Sequence, residues 1–213
     1  MSRDQSEVTG CELLFRRIFA NGHEHAGVAE SFRFGYYWLL MGEFVRPILG
    51  LEVYIAPTSY IGGDVVIGDQ STVMHHVMIR GDIAPIRIGA RVNVQDGVII
   101  HTPRGTPLDI ADDVGIGHRA IIHCRRIGPR TLIGMGAILL DDCEIGSRCI
   151  IAAGTVLTPK TLVPDGSVVM GMPGRVVRKV TDRDLQSIDH VVQSYLELGR
   201  LHAAGQFPNI TGR

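Results

Sequence analysis

Aromatic residues make up only 6% of this 213-residue chain, tryptophan occurs once, and there are four cysteines. Four cysteines in a chain this long form no disulfide framework of the kind that staples small secreted domains. Charge of one sign is also lacking: 21 Lys and Arg against 22 Asp and Glu leave a net charge of −1. That removes the bulk electrostatic case for nucleic acid or a membrane surface as partner. No apolar run approaches the roughly 20 residues of a membrane span. The apolar segment Phe34–Phe44 is short and contains Gly35, Gly42 and Glu43. The amino terminus shows no basic region followed by an apolar run and a small-residue cleavage site, so a cytoplasmic location is expected.

Glycine is abundant instead, at 26 residues, in company with many isoleucines and valines. This mixture favours short strands and many turns, and the length supports one sizeable core. Residues 1–42 read as an extension of uncertain structure. Cys11–Ala20 has the pattern of a short amphipathic helix, Phe32–Leu40 suits a strand or a helix, and His23 and His25 read as solvated. From Ile55 a period of six sets in. Aliphatic anchors fall at Ile55, Ile61, Ile67, Val73 and Ile79, then at Ile88, Val94 and Ile100, then at Ile110, Ile116 and Ile122. A last register runs from Ile127 through Ile133, Leu139, Ile145, Ile151 and Leu157 to Val163 and Val169. A hexapeptide repeat of aliphatic anchors, often followed by glycine, marks an all-β solenoid: a parallel β-helix with three faces to a coil. Cys143 and Cys149, six residues apart, then fall on neighbouring faces, too far apart for a disulfide. The repeat domain spans residues 43–180. Thr181 then caps an amphipathic helix over 181–204, with Asp184 in the capping-box position and Leu185, Ile188, Val192, Tyr195 and Leu196 on one face. Residues 205–213 form a tail.

The register breaks between Ile79 and Ile88, between Ile100 and Ile110, and between Ile122 and Ile127. The two longer gaps predict loops at Asp82–Pro85 and Thr102–Pro107, and inserted loops on one side of a solenoid mark its working side. Three histidines gather there. His101 and His123 each follow an anchor by one and lie one coil apart, so their imidazoles stack at strand spacing, about 4.7–4.9 Å. That suits two ligands of a single ion. Arg80 stands in the same column, one coil earlier. His118 follows Ile116 by two, on the preceding face, and Asp96 shares its offset a coil earlier. One chain would struggle to bring His118 to the other two, whereas a threefold trimer could present it from a neighbour. Three histidines with a fourth position open suit a catalytic ion, which lowers the pKa of bound water to about 7.

Arg80-Gly81-Asp82, Pro85–Gly89, Asn93–Gly97, His101, Gly117-His118, His123 and Ile133–Ala137 closely resemble the γ-class carbonic anhydrase family, over about Phe44 to Tyr195. The resemblance implies a left-handed β-helix trimer with Zn²⁺ or Fe²⁺ at each subunit interface. It implies that His101 and His123 of one subunit and His118 of the next hold the metal. Arg80 and Asp82 would form an ion pair between subunits. Asn93 and Gln95 would line the pocket, with Gln95 orienting metal-bound water, and Asp96 would support that network. The implied reaction is reversible hydration of CO₂ to bicarbonate by metal-bound hydroxide.

Several positions depart from the family pattern. Ile83 stands where the archaeal prototype has a glutamate near the metal. The loop Thr102–Pro107 lacks the acidic insertion that carries a proton-shuttle glutamate in that type. Cys124 replaces a usual glycine, and Met74-His75-His76 replaces a Trp-Pro-Asn-like triplet. His75 falls in the column of Asp96 and His118. Arg125 and Arg126 read as a solvated edge. The same scaffold also serves acyltransferases and thioesterases acting on acyl-CoA, and metal-binding relatives without hydratase activity. The three-histidine arrangement argues against the acyltransferase, and the short loop keeps the last alternative in view.

Overall fold

A computed structural model of the chain describes residues 45–208. The expectations for Cys11–Ala20, Phe32–Leu40, His23 and His25 lie outside the described residues. Short parallel strands wind into a β-helix whose inward anchors stack in three columns. Ile55, Val73, Val94, Ile116, Ile133, Ile151 and Val169 pair in sequence along one face. Ile61, Ile79, Ile100, Ile122, Leu139 and Leu157 form the second column. Ile67, Ile88, Ile110, Ile127, Ile145 and Val163 form the third. Most of these anchors are fully buried. Stacking branched aliphatic side chains between rungs buries their apolar area while the parallel ladder satisfies the backbone.

The residue before each anchor points outward, and it gives each face a different character. On the first face these are Tyr54, Thr72, Asn93 and Gly115, all at least half-buried, because the carboxy-terminal helix packs over them. On the third face they include Arg87, Asp109 and Arg126, exposed and charged. On the second they are Tyr60, Met78, Ile99 and Ile121, which are apolar, exposed and register-paired into one stripe.

One local expectation needs correction. The Asp82–Pro85 segment is no loop. Met78–Ile88 is one continuous strand, paired with Tyr60–Ile67 around an irregularity at Gly63 and Val65, so the extra residues run on as strand between two faces. Beyond the last anchor, Val169, the chain adds an element that the six-residue period does not announce. Ser167–Gly171 and Gly174–Lys179 fold back as an antiparallel hairpin that closes the last coil. The loop after His101 is present, with its turn at Arg104-Gly105. Cys124, Cys143 and Cys149 are free and buried, and burial holds all three thiols above their ordinary pKa.

The helix spans Asp182–Ala203, and its capping box is complete: Asp184 N–H donates to the Thr181 hydroxyl while Thr181 N–H donates to the Asp184 carboxylate. Ile188 and Val192 are buried against the first face. No helix among the described residues is long and apolar enough to cross a membrane. Arg178 and the Thr181 cap hold the Asp184 carboxyl far below the usual carboxylate range. A depressed carboxyl contributes stability above its unfolded pKa, about 3.9, and loses it as pH falls through the folded value. Helix stability is therefore expected to separate wild type from Asp184→Asn at pH 6, with the gap narrowed by pH 2. Amide exchange along Asp182–Ala203 checks this; a gap equal at both pH values would refute it.

Candidate metal centre

His101 and His123 emerge one residue after adjacent rungs of the second column, on the apolar stripe's face. His101 N–H bonds the Ile122 carbonyl at 3.0 Å, and His123 N–H bonds the Leu139 carbonyl at 2.9 Å. The ring centroids are 5.3 Å apart, and His101 Nδ1 faces His123 Nε2 at 3.2 Å. The outer nitrogens are held by carboxylates. His101 Nε2–H donates to Asp82 Oδ1 at 3.0 Å, and His123 Nδ1–H donates to Asp141 Oδ1 at 2.6 Å. Those two bonds claim the N–H of each neutral imidazole. Both facing nitrogens are then lone pairs, an unfavourable contact unless a cation or a proton lies between them. Two nitrogens bound at about 2.0–2.1 Å to a tetrahedral ion stand about 3.3 Å apart. The observed 3.2 Å fits a bidentate cradle for such an ion, and an outer carboxylate on each imidazole is the usual support for one.

Arg80 stands in the same column and pairs with Asp82 at 2.6 Å within one chain. Asp82 is thus divided between a guanidinium and an imidazole.

His118 belongs to a second cluster, under the carboxy-terminal helix. Its backbone N–H donates to Gln95 Oε1 at 3.2 Å, and Gln95 Nε2–H donates to Asn93 Oδ1 at 3.1 Å. Asn93 and Gln95 are buried, and Asn93 Nδ2 has no partner among the described residues. His118 Nδ1–H meets Asp96 Oδ2 at 3.0 Å, and the Tyr195 hydroxyl meets Nε2 at 3.1 Å. Burial chiefly, and the Asp96 charge secondarily, raise the Tyr195 pKa, so the phenol stays a neutral donor to the Nε2 lone pair. Asp96 also accepts from the His75 backbone at 3.2 Å, as the shared column predicts, while the His75 ring turns to Thr58. Arg125 and Arg126 are exposed, and Arg126 lies in register between Asp109 and Glu144.

The residues singled out in the sequence thus fall into two groups: His101, His123, Arg80 and Asp82 in one; His118, Asp96, Gln95 and Asn93 in the other. Among the described residues, no three His, Cys, Asp or Glu side chains of one chain converge to hold an ion. Asp141 escaped the sequence reading. Its signal was available, since it is the carboxylate closest in sequence to the rung after His123, but it follows Leu139 by two and so falls outside the histidine column. A cavity of about 430 Å³ between the helix and the first coils, lined by Glu52, Tyr54, Thr72, Leu196 and Arg200 among others, contains none of these groups.

The family model described as Dynactin subunit 5 matches residues 49–200. "Gamma carbonic anhydrase 1, mitochondrial" of Arabidopsis thaliana is 35% identical over 172 residues, 78% of this chain and 62% of that protein, so the chain spans under two thirds of that relative. "Carbonic anhydrase" of Geobacillus kaustophilus is 39% identical over 160 residues, 75% of this chain and 88% of that protein. The solved structure of a hexapeptide transferase family protein from Anaplasma phagocytophilum has a TM-score of 0.69 and 30% identity, covering 72% of this chain and 91% of that one.

Proposed function

Because the chain belongs to the γ-class carbonic anhydrase family, with its left-handed β-helix, we propose that it hydrates CO₂ reversibly to bicarbonate at metal centres shared between the subunits of a homotrimer. The facing lone pairs of His101 and His123, 3.2 Å apart and each backed by a carboxylate, carry this reading. They supply two ligands, and among the described residues of the chain no third converges on them. The stripe Tyr60, Met78, Ile99 and Ile121 on the same face supports it independently. It is the face that neither the helix nor charge covers, and contiguous exposed apolar residues mark an interaction site. A neighbour packed there would bring its His118, giving one Zn²⁺ or Fe²⁺ per interface. Ligation through Nε2 would displace the Tyr195 hydroxyl, while Asp96 keeps hold of Nδ1.

When bound, such a cation acidifies water and so supplies a nucleophile for CO₂ at neutral pH. The chain's own groups do the rest. Arg80 and Asp82 fix the His101 ring. Gln95, locked between Asn93 and the His118 backbone, is positioned to orient water, and the Asn93 Nδ2–H, unpaired among the described residues, is a donor for a substrate oxygen. Purified protein is expected to carry stoichiometric zinc or iron and to accelerate CO₂ hydration in stopped flow, losing the rate on chelation. A metal-loaded protein with no rate above buffer would sink the hydratase. Light scattering is expected to give the mass of three chains, and a metal-loaded monomer would refute the shared centre.

Two observations favour a second reading, a metal-binding assembly subunit without hydratase activity. The loop Thr102–Pro107 carries Arg104 and no carboxylate, and the family model that matches bears the name of a dynactin subunit. The stopped-flow result separates the two readings. Coenzyme A-dependent acetyl transfer without added metal would instead favour the transferase named among the structural relatives.

A further inference from the structure

The two carboxylates that flank the histidine pair are not equivalent. Asp82 accepts from His101 but also pairs with Arg80 at 2.6 Å, so its charge is largely answered by a guanidinium. Asp141, on the other side, accepts from His123 Nδ1 at 2.6 Å, and among the described residues its carboxylate has no other hydrogen-bond partner. Its place is set by backbone: Lys160 N–H donates to the Asp141 carbonyl at 2.8 Å, and the next residue, Asp142, takes the left-handed conformation at φ 58°. The turn after Leu139 therefore aims one unneutralised carboxylate at one imidazole nitrogen. About half its side-chain surface remains exposed, so it contributes little to the core, and a packing role does not account for it.

We propose that Asp141 is a positioning residue for the metal centre, fixing the His123 tautomer so that Nε2 presents its lone pair beside His101 Nδ1. Without that acceptor, His123 is free to carry its proton on Nε2, the nitrogen a cation needs, and to rotate out of the cradle. Asp82 cannot substitute, because it reaches only His101 and shares its charge with Arg80. Outer carboxylates of this kind usually change metal affinity by about 10–100-fold when removed. This inference rests on the proposed metal centre but concerns a residue outside its ligand set.

The test uses the full chain in its assembled form, stripped of metal and titrated with zinc against a chromogenic chelator. Asp141→Ala is expected to weaken zinc binding by about 10–100-fold while the melting temperature of the metal-free protein stays at the wild-type value. Asp141→Asn is expected to recover at least part of the loss, because the amide oxygen still accepts from His123 Nδ1–H. Zinc affinity of Asp141→Ala within about twofold of wild type, well below that range, would overturn the inference, as would an Asn variant no better than Ala. His123→Ala is the reference. If it too keeps its zinc, the metal centre itself is wrong; if it loses zinc while Asp141→Ala does not, only the role of Asp141 falls.

Discussion

His118→Ala is expected to lose bound metal as completely as His101→Ala, although the two side chains lie in separate clusters of one chain. The expectation follows from the count of lone pairs. His101 and His123 offer two donors at 3.2 Å, and among the described residues nothing of the same chain adds a third. His118 offers one more, at present capped by the Tyr195 hydroxyl. If structural zinc gains roughly 10–16 kcal/mol from its full ligand set, one ligand in three is worth about a hundredfold or more in affinity. Metal analysis of the purified variants reads this directly, and full occupancy in His118→Ala would defeat the shared site. Mixing sharpens the test. A chain lacking His118 and a chain lacking both His101 and His123 each fail alone. Co-refolded into mixed trimers, they are expected to regain metal at about one interface in three, where an intact pair meets an intact His118. A site contained within one chain predicts no recovery.

The coil register was legible because a parallel β-helix repeats one physical requirement at each rung. An inward position must be apolar and branched, so spacing alone placed nearly all the anchors in their columns, and with them the stacking of His101 on His123 and the separation of His118. What spacing could not weigh was the cost of an insertion. Three extra residues between Ile79 and Ile88 were absorbed by straightening a corner into the long strand Met78–Ile88 rather than by bulging into a loop. The terminal hairpin was missed because its second strand, Gly174–Lys179, pairs antiparallel and has no inward anchor column to announce it. Asp141 was missed for a related reason. The side chain reaches sideways from a turn, and turns carry no hydrophobic period. The resemblance to a known family supplied the proposed roles of Asn93, Gln95 and Asp96; counting would have left Asn93 and Gln95 as buried amides with no assigned partner.

Gly134→Ala is expected to destabilise the protein more than Gly136→Ala, though the two glycines lie two residues apart. A β-carbon on Gly134 would collide with the Ala153 nitrogen, with the Ala152 carbonyl carbon at 2.7 Å and Ala153 Cα at 2.8 Å, all backbone of the next coil. No rotamer change relieves such a clash; the coils must separate. That strains the ladder bond from Gly134 N–H to the Ile151 carbonyl, now 2.7 Å. Overpacking of this kind costs about 3 kcal/mol, which for a chain of this size lowers the melting temperature by about 6–12 °C. Gly136 differs in kind. A β-carbon there meets nothing within 4 Å, and only its φ of +67° opposes a side chain, a cost of about 1–2 kcal/mol. Calorimetry gives the order of the two, and equal losses would show that the coils are not in close contact at Gly134. The substitution also reaches the second cluster. Gly117, the residue before His118, has its own β-position 2.9 Å from the Gly134 carbonyl carbon, so a displaced Gly134 moves the rung that carries His118. Metal affinity should therefore fall in Gly134→Ala and hold in Gly136→Ala, which keeps its N–H to the His118 carbonyl at 2.8 Å. The glycine that lets two coils touch is in this way also a determinant of where His118, the proposed third ligand, stands.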